Sequence, residues 1–252
     1  MGFDWILAFY PAVRAFLAGQ NPYGVGPRDF LNPPWVLPFL APLGFLPAVW
    51  GAWIINLINL GGLVALCRKA GRLWMAAPLV LSFPMLVLLW HAQLDGFILW
   101  GVVFGGPLGF LFLSFKPHVG GGIALIWLWR AWQMEGAWGV VRLVWPTVAL
   151  AIGFTALYPN WLEAMASATT QNDSGAVGGF PWLIPMGVFL LVAAWRAKRE
   201  ELAAPSALFL SPYARIQSWI VSLALLACRY PLEGVIACAA TWSVFGFLLT
   251  TL

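Results

Sequence analysis

Long apolar runs separated by short polar breaks organise this chain. Residues 48–67 form an apolar run of about 20 residues, roughly 30 Å of helix and one hydrocarbon thickness. That run ends at Arg68-Lys69, with Arg72 just beyond. A second run, 73–90, ends at the polar cluster His91-Ala92-Gln93-Leu94-Asp95. Residues 97–115 are apolar but are interrupted by Gly105-Gly106-Pro107, and Lys116-Pro117-His118 follow. Further runs cover 119–132, 140–158, 181–195, 205–228 and 234–252, with a polar loop at 159–180. Ahead of the first span, Ile6, Phe9, Tyr10, Val13, Phe16 and Leu17 recur at helical spacing while Arg14 points elsewhere. This predicts a short amphipathic helix over 5–19 that lies in the membrane interface rather than crossing it. Pro11 suits its first turn and Gly19 its end. Residues 20–34 read as a turn-rich loop, and Pro33-Pro34-Trp35 opens an apolar piece to Leu46 that is too short to cross.

The 97–115 stretch fits either one kinked span or a hairpin of two half-length helices, and the placement of basic residues decides. With a hairpin, Arg68, Lys69, Arg72, Arg130, Arg142, Arg196, Lys198 and Arg199 all face the cytoplasm, leaving Arg14, Arg28 and Lys116 outside. A single span inverts everything after it and places most basic residues outside, so the hairpin is preferred. Broken backbone at membrane depth needs protein or a water-filled cavity around it, which predicts a polar cavity on the outer side. Gly101, Gly105 and Gly109 have the small-xxx-small spacing that suits close packing there. The helix at 5–19, the 20–34 loop, the HAQLD cluster, the KPH turn and the 159–180 loop all gather on that side.

Composition agrees with lipid as the solvent. Of the 252 residues, 62% are apolar and 9% charged, whereas soluble domains run near a quarter charged. The 17 Trp suit the membrane–water boundary. The net charge of +4 is dispersed along the chain, which gives no nucleic-acid stripe. Cys67, Cys228 and Cys238 form no C-x-x-C pair and read as small hydrophobes. Met1-Gly2-Phe3-Asp4 offers no basic leader, and no internal repeat is visible. The expected fold is therefore all-α: a single polytopic transmembrane helix bundle over 1–252, with an outer interfacial helix and broken or re-entrant helices. It divides into 1–34 (outer helix and loop), 35–158 (first helix group), 159–180 (outer loop) and 181–252 (last helices).

The outer side collects carboxylates (Asp4, Asp29, Asp95), imidazoles (His91, His118) and the cation Lys116. An interfacial carboxylate can take a proton from an acceptor hydroxyl. A lysine at membrane depth calls for an anion such as a lipid phosphate. Together they fit transfer of a group from a lipid-linked phosphate to a hydroxyl. Each residue also has a plainer reading. Asp4 and Asp95 can cap the helices that follow them, and Lys116 can snorkel from a helix end. His91 and His118 can be interfacial histidines, and they make a weak metal site. Arg28 and Asp29 can form a solvated pair. Asn172-Asp173-Ser174 matches the glycosylation triplet, and Gly120-Gly121-Gly122 reads as helix packing.

Several of these segments occur together in a known family. FDWILAFYPAVRAFLAGQNPYG, with Asp4, Tyr10, Gly19 and Asn21-Pro22-Tyr23, is followed by Pro33-Pro34 before an apolar run. Then come HAQLDG with Gln93 and Asp95, SFKPHVG with Lys116-Pro117, and FLSPYA with Ser211-Pro212. In this order they resemble the bacterial glycosyltransferase-C type, α-mannosyltransferase-like membrane enzymes that use a polyprenyl-phosphate sugar. Family members carry a helix before the first Asp and run longer, so the resemblance implies a shortened form. It also implies Asp4 as general base, Lys116 near the donor phosphate, and Gln93 and Asp95 in the same cavity. Asn21, Tyr23, His91, His118, Tyr213 and Arg215 join the expected donor and acceptor site.

The expected activity is transfer of a hexose, such as mannose, to a hydroxyl on the outer face of a bacterial inner membrane. Neither metal nor cofactor is called for. The expected partners are the lipid donor and membrane lipid, without nucleic acid. The alternative is a non-catalytic membrane subunit or pseudo-enzyme of the same fold, which binds lipid or a protein complex. A transporter is disfavoured by the missing inverted repeat and by spans without ionisable residues.

Overall fold

The computed structural model describes residues 2–164, 166 and 180–251. Most of the 159–180 loop and the Asn172-Asp173-Ser174 triplet lie outside the described residues. Among those described, every regular element is helical. A π-helical turn, Trp5–Phe9, leads into α1 (Tyr10–Leu17). Short 3-10 turns flank α2 (Leu37–Leu40), and α3 (Ala48–Lys69) follows. Then come α4 (Ala76–Val80), α5 (Phe83–His91), α6 (Asp95–Phe104) and α7 (Gly106–Leu113). The long element α8 (Pro117–Leu157) precedes α9 (Ile184–Ala197), α10 (Glu200–Leu210), α11 (Trp219–Arg229) and α12 (Pro231–Thr251).

Two of these helices, Ala48–Lys69 and Pro117–Leu157, are long and apolar enough to cross a membrane. A third span exists if the bent pair Leu73–Val80 and Phe83–His91 acts as one. That pair corrects the uniform span expected over 73–90. Its halves meet at 73° because Ser82 is extended and Pro84 opens a new helix. The span expected over 205–228 is likewise interrupted. Ser211 before Pro212 is extended (φ −97°, ψ 131°), as the proline ring requires of its predecessor. Helix resumes only at Ile216–Ser218.

The two runs expected over 119–132 and 140–158 are the arms of α8. Gly136 interrupts it with φ 61° and ψ −145°, and the chain turns back there. Trp35 donates to Ser114 Oγ at 2.9 Å beside the start of α8, and its ring meets Trp161 at 5.3 Å just past the end. A straight helix of this length would hold those ends roughly 60 Å apart. Residues 97–115 also reverse, at Gly105 (φ 66°). The arms touch through glycine backbone, since a Cβ on Gly109 would sit 2.4 Å from the Gly101 carbonyl.

The first helix differs from its expected setting. Trp5, Phe9, Ala12 and Val13 are buried against protein. The Trp5 indole donates to the Ala48 carbonyl at 2.8 Å and lies on Gly51, where a Cβ would come within 2.5 Å of the ring. The apolar stripe expected at the interface also meets protein, for Phe9 packs on Phe30, Phe16 on Phe154, and Val13 and Leu17 on Gly44. Lys69, at the other end of α3, donates to the carbonyls of Val102 and Val103 and so closes the end of α6.

Gly96 seats α6 against α3. A Cβ there would stand 2.2 Å from Asn59 Oδ1 and 2.5 Å from Asn59 Cα. Gly96→Ala should therefore destabilise the chain by about 1–3 kcal/mol, lowering Tm by roughly 2–10 °C, although alanine is the better helix former. Gly153→Ala, where a Cβ meets nothing within 4 Å, should not lower it. Thermal unfolding in detergent checks the pair, and equal Tm values would remove the contact as a constraint.

Candidate functional site

The site assembles at two helix breaks. The first separates α5 from α6, where Ala92 takes the left-handed conformation (φ 50°) and ends the helix. Side chains from α3 hold this break in place. Asn56 Nδ2 donates to the Leu89 carbonyl at 2.9 Å. Asn59 Nδ2 donates to the Gln93 carbonyl at 2.8 Å, while its Oδ1 accepts from the Gly96 N–H at 2.9 Å. The second break, between α7 and α8, carries Lys116. Asn32 fixes it by donating to the Phe115 carbonyl at 2.9 Å.

Between these breaks runs a continuous polar chain. Lys116 Nζ donates to Asp95 Oδ2 and to Gln93 Oε1, both at 2.8 Å. Gln93 Nε2 donates to Asp4 Oδ2 at 2.5 Å, and Arg28 donates to Asp4 Oδ1 at 3.1 Å. A lysine only donates and a carboxylate only accepts, so the orientation of the Gln93 amide is dictated. His91 Nδ1 lies 3.1 Å from Asp4 Oδ2, near the carboxylate but out of line for a hydrogen bond. Asp95 is fully buried and Lys116 is 6% exposed. They sit beside Asn59, roughly 16 Å along α3 from its start and so near mid-depth if α3 crosses lipid.

Asp4, Gln93, Lys116, His118, Tyr213 and Arg215 all line one cavity, which has about 580 Å³ of empty space including its mouth. The imidazole of His118 meets the Tyr213 ring edge-on at 5.6 Å, and Arg215 lies 5.1 Å from that ring's centre. Asp95 stands directly behind Lys116, and His91 beside Asp4. Asn21 and Tyr23 are not on the wall. Asn21 Oδ1 accepts the Tyr23 N–H, and the Tyr23 hydroxyl donates to the Asn32 carbonyl, so the two shape the loop that carries Asn32. Burial, with Tyr158 adding to it, pushes the Tyr23 hydroxyl above its ordinary range.

The capping readings do not hold. Neither Asp4 nor Asp95 makes a side-chain cap, and Lys116 points inward to Asp95 rather than out along the lipid surface. Arg28 and Asp29, read as a solvated pair, are not paired with each other, for Arg28 engages Asp4. Asp29 lines the cavity and forms no ion pair among the described residues. Sequence reasoning also passed over Asn32, Asn56, Asn59, Gln217 and Ser218. The signal for Asn56 and Asn59 was present, as two amides three residues apart inside an apolar span. Gln217 and Ser218 gave none, because only the break after Pro212 turns them toward the cavity.

Electrostatics favour ionised Asp4. Burial alone would raise its carboxyl, but the His91 imidazole, the Gln93 amide and the Arg28 guanidinium outweigh it and hold the carboxyl below the usual carboxylate range. The class of protein defined by these features is an all-helical chain with two or three helices able to cross a membrane, built around a polar, charge-paired cavity. Comparison with protein-family profiles, curated proteins and solved structures gives no match to this chain.

Because folding lowers the Asp4 carboxyl, its contribution to stability is full above the unfolded value of 3.8 and is lost as pH falls through the lower folded value. Tm measured from pH 6 down to pH 3 should therefore fall further in the native chain than in Asp4→Asn. Parallel curves would show that Asp4 is not held in its ionised form.

Proposed function

We propose that this chain is a multi-pass membrane glycosyltransferase of glycosyltransferase-C type, in the inner membrane of a bacterium. It moves a hexose, mannose by the resemblance, from a polyprenyl-phosphate donor to an acceptor hydroxyl on the outer face. The observation that carries this reading is the convergence of Asp4, Gln93 and Lys116 on one cavity wall, with Asp95 directly behind Lys116. The four are joined by hydrogen bonds, although they come from three separate parts of the chain.

In the reaction the acceptor oxygen attacks the anomeric carbon while the bond from that carbon to the phosphate oxygen breaks. The bonding pair leaves with the phosphate, and the acceptor proton passes to the Asp4 carboxylate. Asp4 is suited to this because it is ionised and held in a fixed orientation. The cations of the wall stabilise the charge that gathers on the leaving phosphate. The break at mid-depth would let a lipid-borne donor meet an acceptor from the outer aqueous side.

One observation favours the second reading, a non-catalytic subunit of the same fold that binds lipid or a protein partner. Asp4 is engaged by three neighbours, as in a purely structural polar cluster. The two readings part in a transfer assay with a polyprenyl-phosphate hexose. Asp4→Asn should lower turnover roughly a hundred- to ten-thousand-fold, whereas Asp29→Asn should cost less than about tenfold. Turnover untouched by Asp4→Asn removes Asp4 as the base. Folded protein that binds lipid without any turnover selects the subunit.

A further inference from the structure

Of the three cations on the cavity wall, two are neutralised within the protein. Arg28 is paired with Asp4 and Lys116 with Asp95, and Lys116 commits a second hydrogen to Gln93. Arg215 has no ion pair among the described residues, not even with Asp29 of the same wall, and its guanidinium rests over the Tyr213 ring. The segment it begins holds a second anion-seeking group. Ser218 is 1% exposed, lines the cavity, and its Oγ has no hydrogen-bond partner. The same segment opens the helix Ile216–Arg229, where the Ser218 N–H donates to the Arg215 carbonyl at 3.0 Å, the N–H groups of Ile216 and Gln217 lie ahead of it, and the dipole favours negative charge.

We propose that Arg215, Ser218 and this helix start form the seat of the donor's phosphate. The inference rests on the function proposed above and deepens it. It also moves the phosphate away from Lys116, whose part becomes that of a counter-charge fixing Asp95 and Gln93. A guanidinium suits the task, because its planar fork matches two phosphate oxygens at once. The serine hydroxyl and the helix N–H groups reach oxygens that the fork leaves.

The same ligand chemistry could come from a free phosphate or from a lipid headgroup, and the far side of the helix favours lipid. Ile216, Trp219, Leu223 and Leu226 form one stripe of it and, with Pro205, line an apolar groove of about 1180 Å³ of empty space. Ile216 and Trp219 flank Gln217 and Ser218 of the cavity wall. An apolar chain attached to a phosphate on Arg215 would pass round the helix start between these residues to reach the groove, which runs roughly 15 Å along the same helix.

The test uses the purified full chain in detergent, with binding of undecaprenyl phosphate, undecaprenol and inorganic phosphate measured separately. The native chain should bind undecaprenyl phosphate at least tenfold more tightly than either comparison ligand. Arg215→Gln should erase the advantage over the alcohol, Arg215→Lys should keep part of it, and Ser218→Ala should lower it several-fold, all with unchanged Tm. An Arg215→Gln chain that binds the lipid phosphate as the native chain does would overturn the seat. Inorganic phosphate bound as tightly as the lipid would overturn the lipid source. Binding is scored without sugar or turnover, so a failed transfer assay and a failed phosphate seat remain separate results.

Discussion

The contact between Lys116 and Asp95, 2.8 Å apart with Asp95 fully buried, constrains everything around it. Removing two such charges from water costs several kcal/mol per ion, and their mutual attraction repays it only when further hydrogen bonds complete the geometry. Gln93 supplies one of those bonds to Lys116. Its other end must then find an acceptor, and Asp4 is that acceptor. Asp4 in turn draws Arg28 out of the 20–34 loop. A single buried ion pair thereby fixes the positions of residues more than a hundred places apart in sequence.

The pair also explains why so many helices here are short. Lys116 and Asp95 can face each other only if α5 stops, α6 begins, α7 ends and α8 begins at one level of the bundle. Each stop leaves unpaired backbone groups at a depth where water is scarce. Asn56, Asn59 and Asn32 answer that need, donating to carbonyls at both breaks. Gly96 lets the Asn59 backbone close to contact. The amides are thus part of the site's foundation, although none of them touches the cavity's cations.

The helical class, the order of the apolar runs, the reversal at Gly105 and a break between 132 and 140 were legible in the sequence. Apolar length and glycine position are local signals. Asp4, Gln93, Lys116 and His118 of the cavity could also be named, because a charged or amide side chain between apolar runs is conspicuous, and the resemblance added Tyr213 and Arg215. What could not be read was partnership. Arg28 stands next to Asp29 in sequence, so local reasoning paired them, whereas the fold brings Arg28 to Asp4. The stripe Ile6, Phe9, Val13 looks the same whether it meets lipid or protein. The fold sets Phe9 on Phe30 and Val13 on Gly44. The bend at Ser82 was hidden inside an unbroken apolar run, whereas the gap after Ser211 carries Arg215 and Gln217 and was read through; at both the proline governs the backbone.

Gln93 also does something that a direct contact could not. Were Asp4 to touch Lys116 it would carry a second full cation beside Arg28, and Lys116 would be drawn away from Asp95. A neutral amide placed between them passes on orientation without passing on a full charge. Asp4 then owes its fixed geometry to the buried pair and its ionisation to His91, Gln93 and Arg28, which sit at its own end of the chain. Lys116 keeps Asp95 satisfied at the other end. On the cavity wall Arg215 forms no ion pair among the described residues, and the unpaired Asp29 of that wall lies beyond ion-pair distance from it. A site that has balanced its other cations internally, but leaves this one over an aromatic ring beside an unpartnered serine, is organised around an anion supplied from outside.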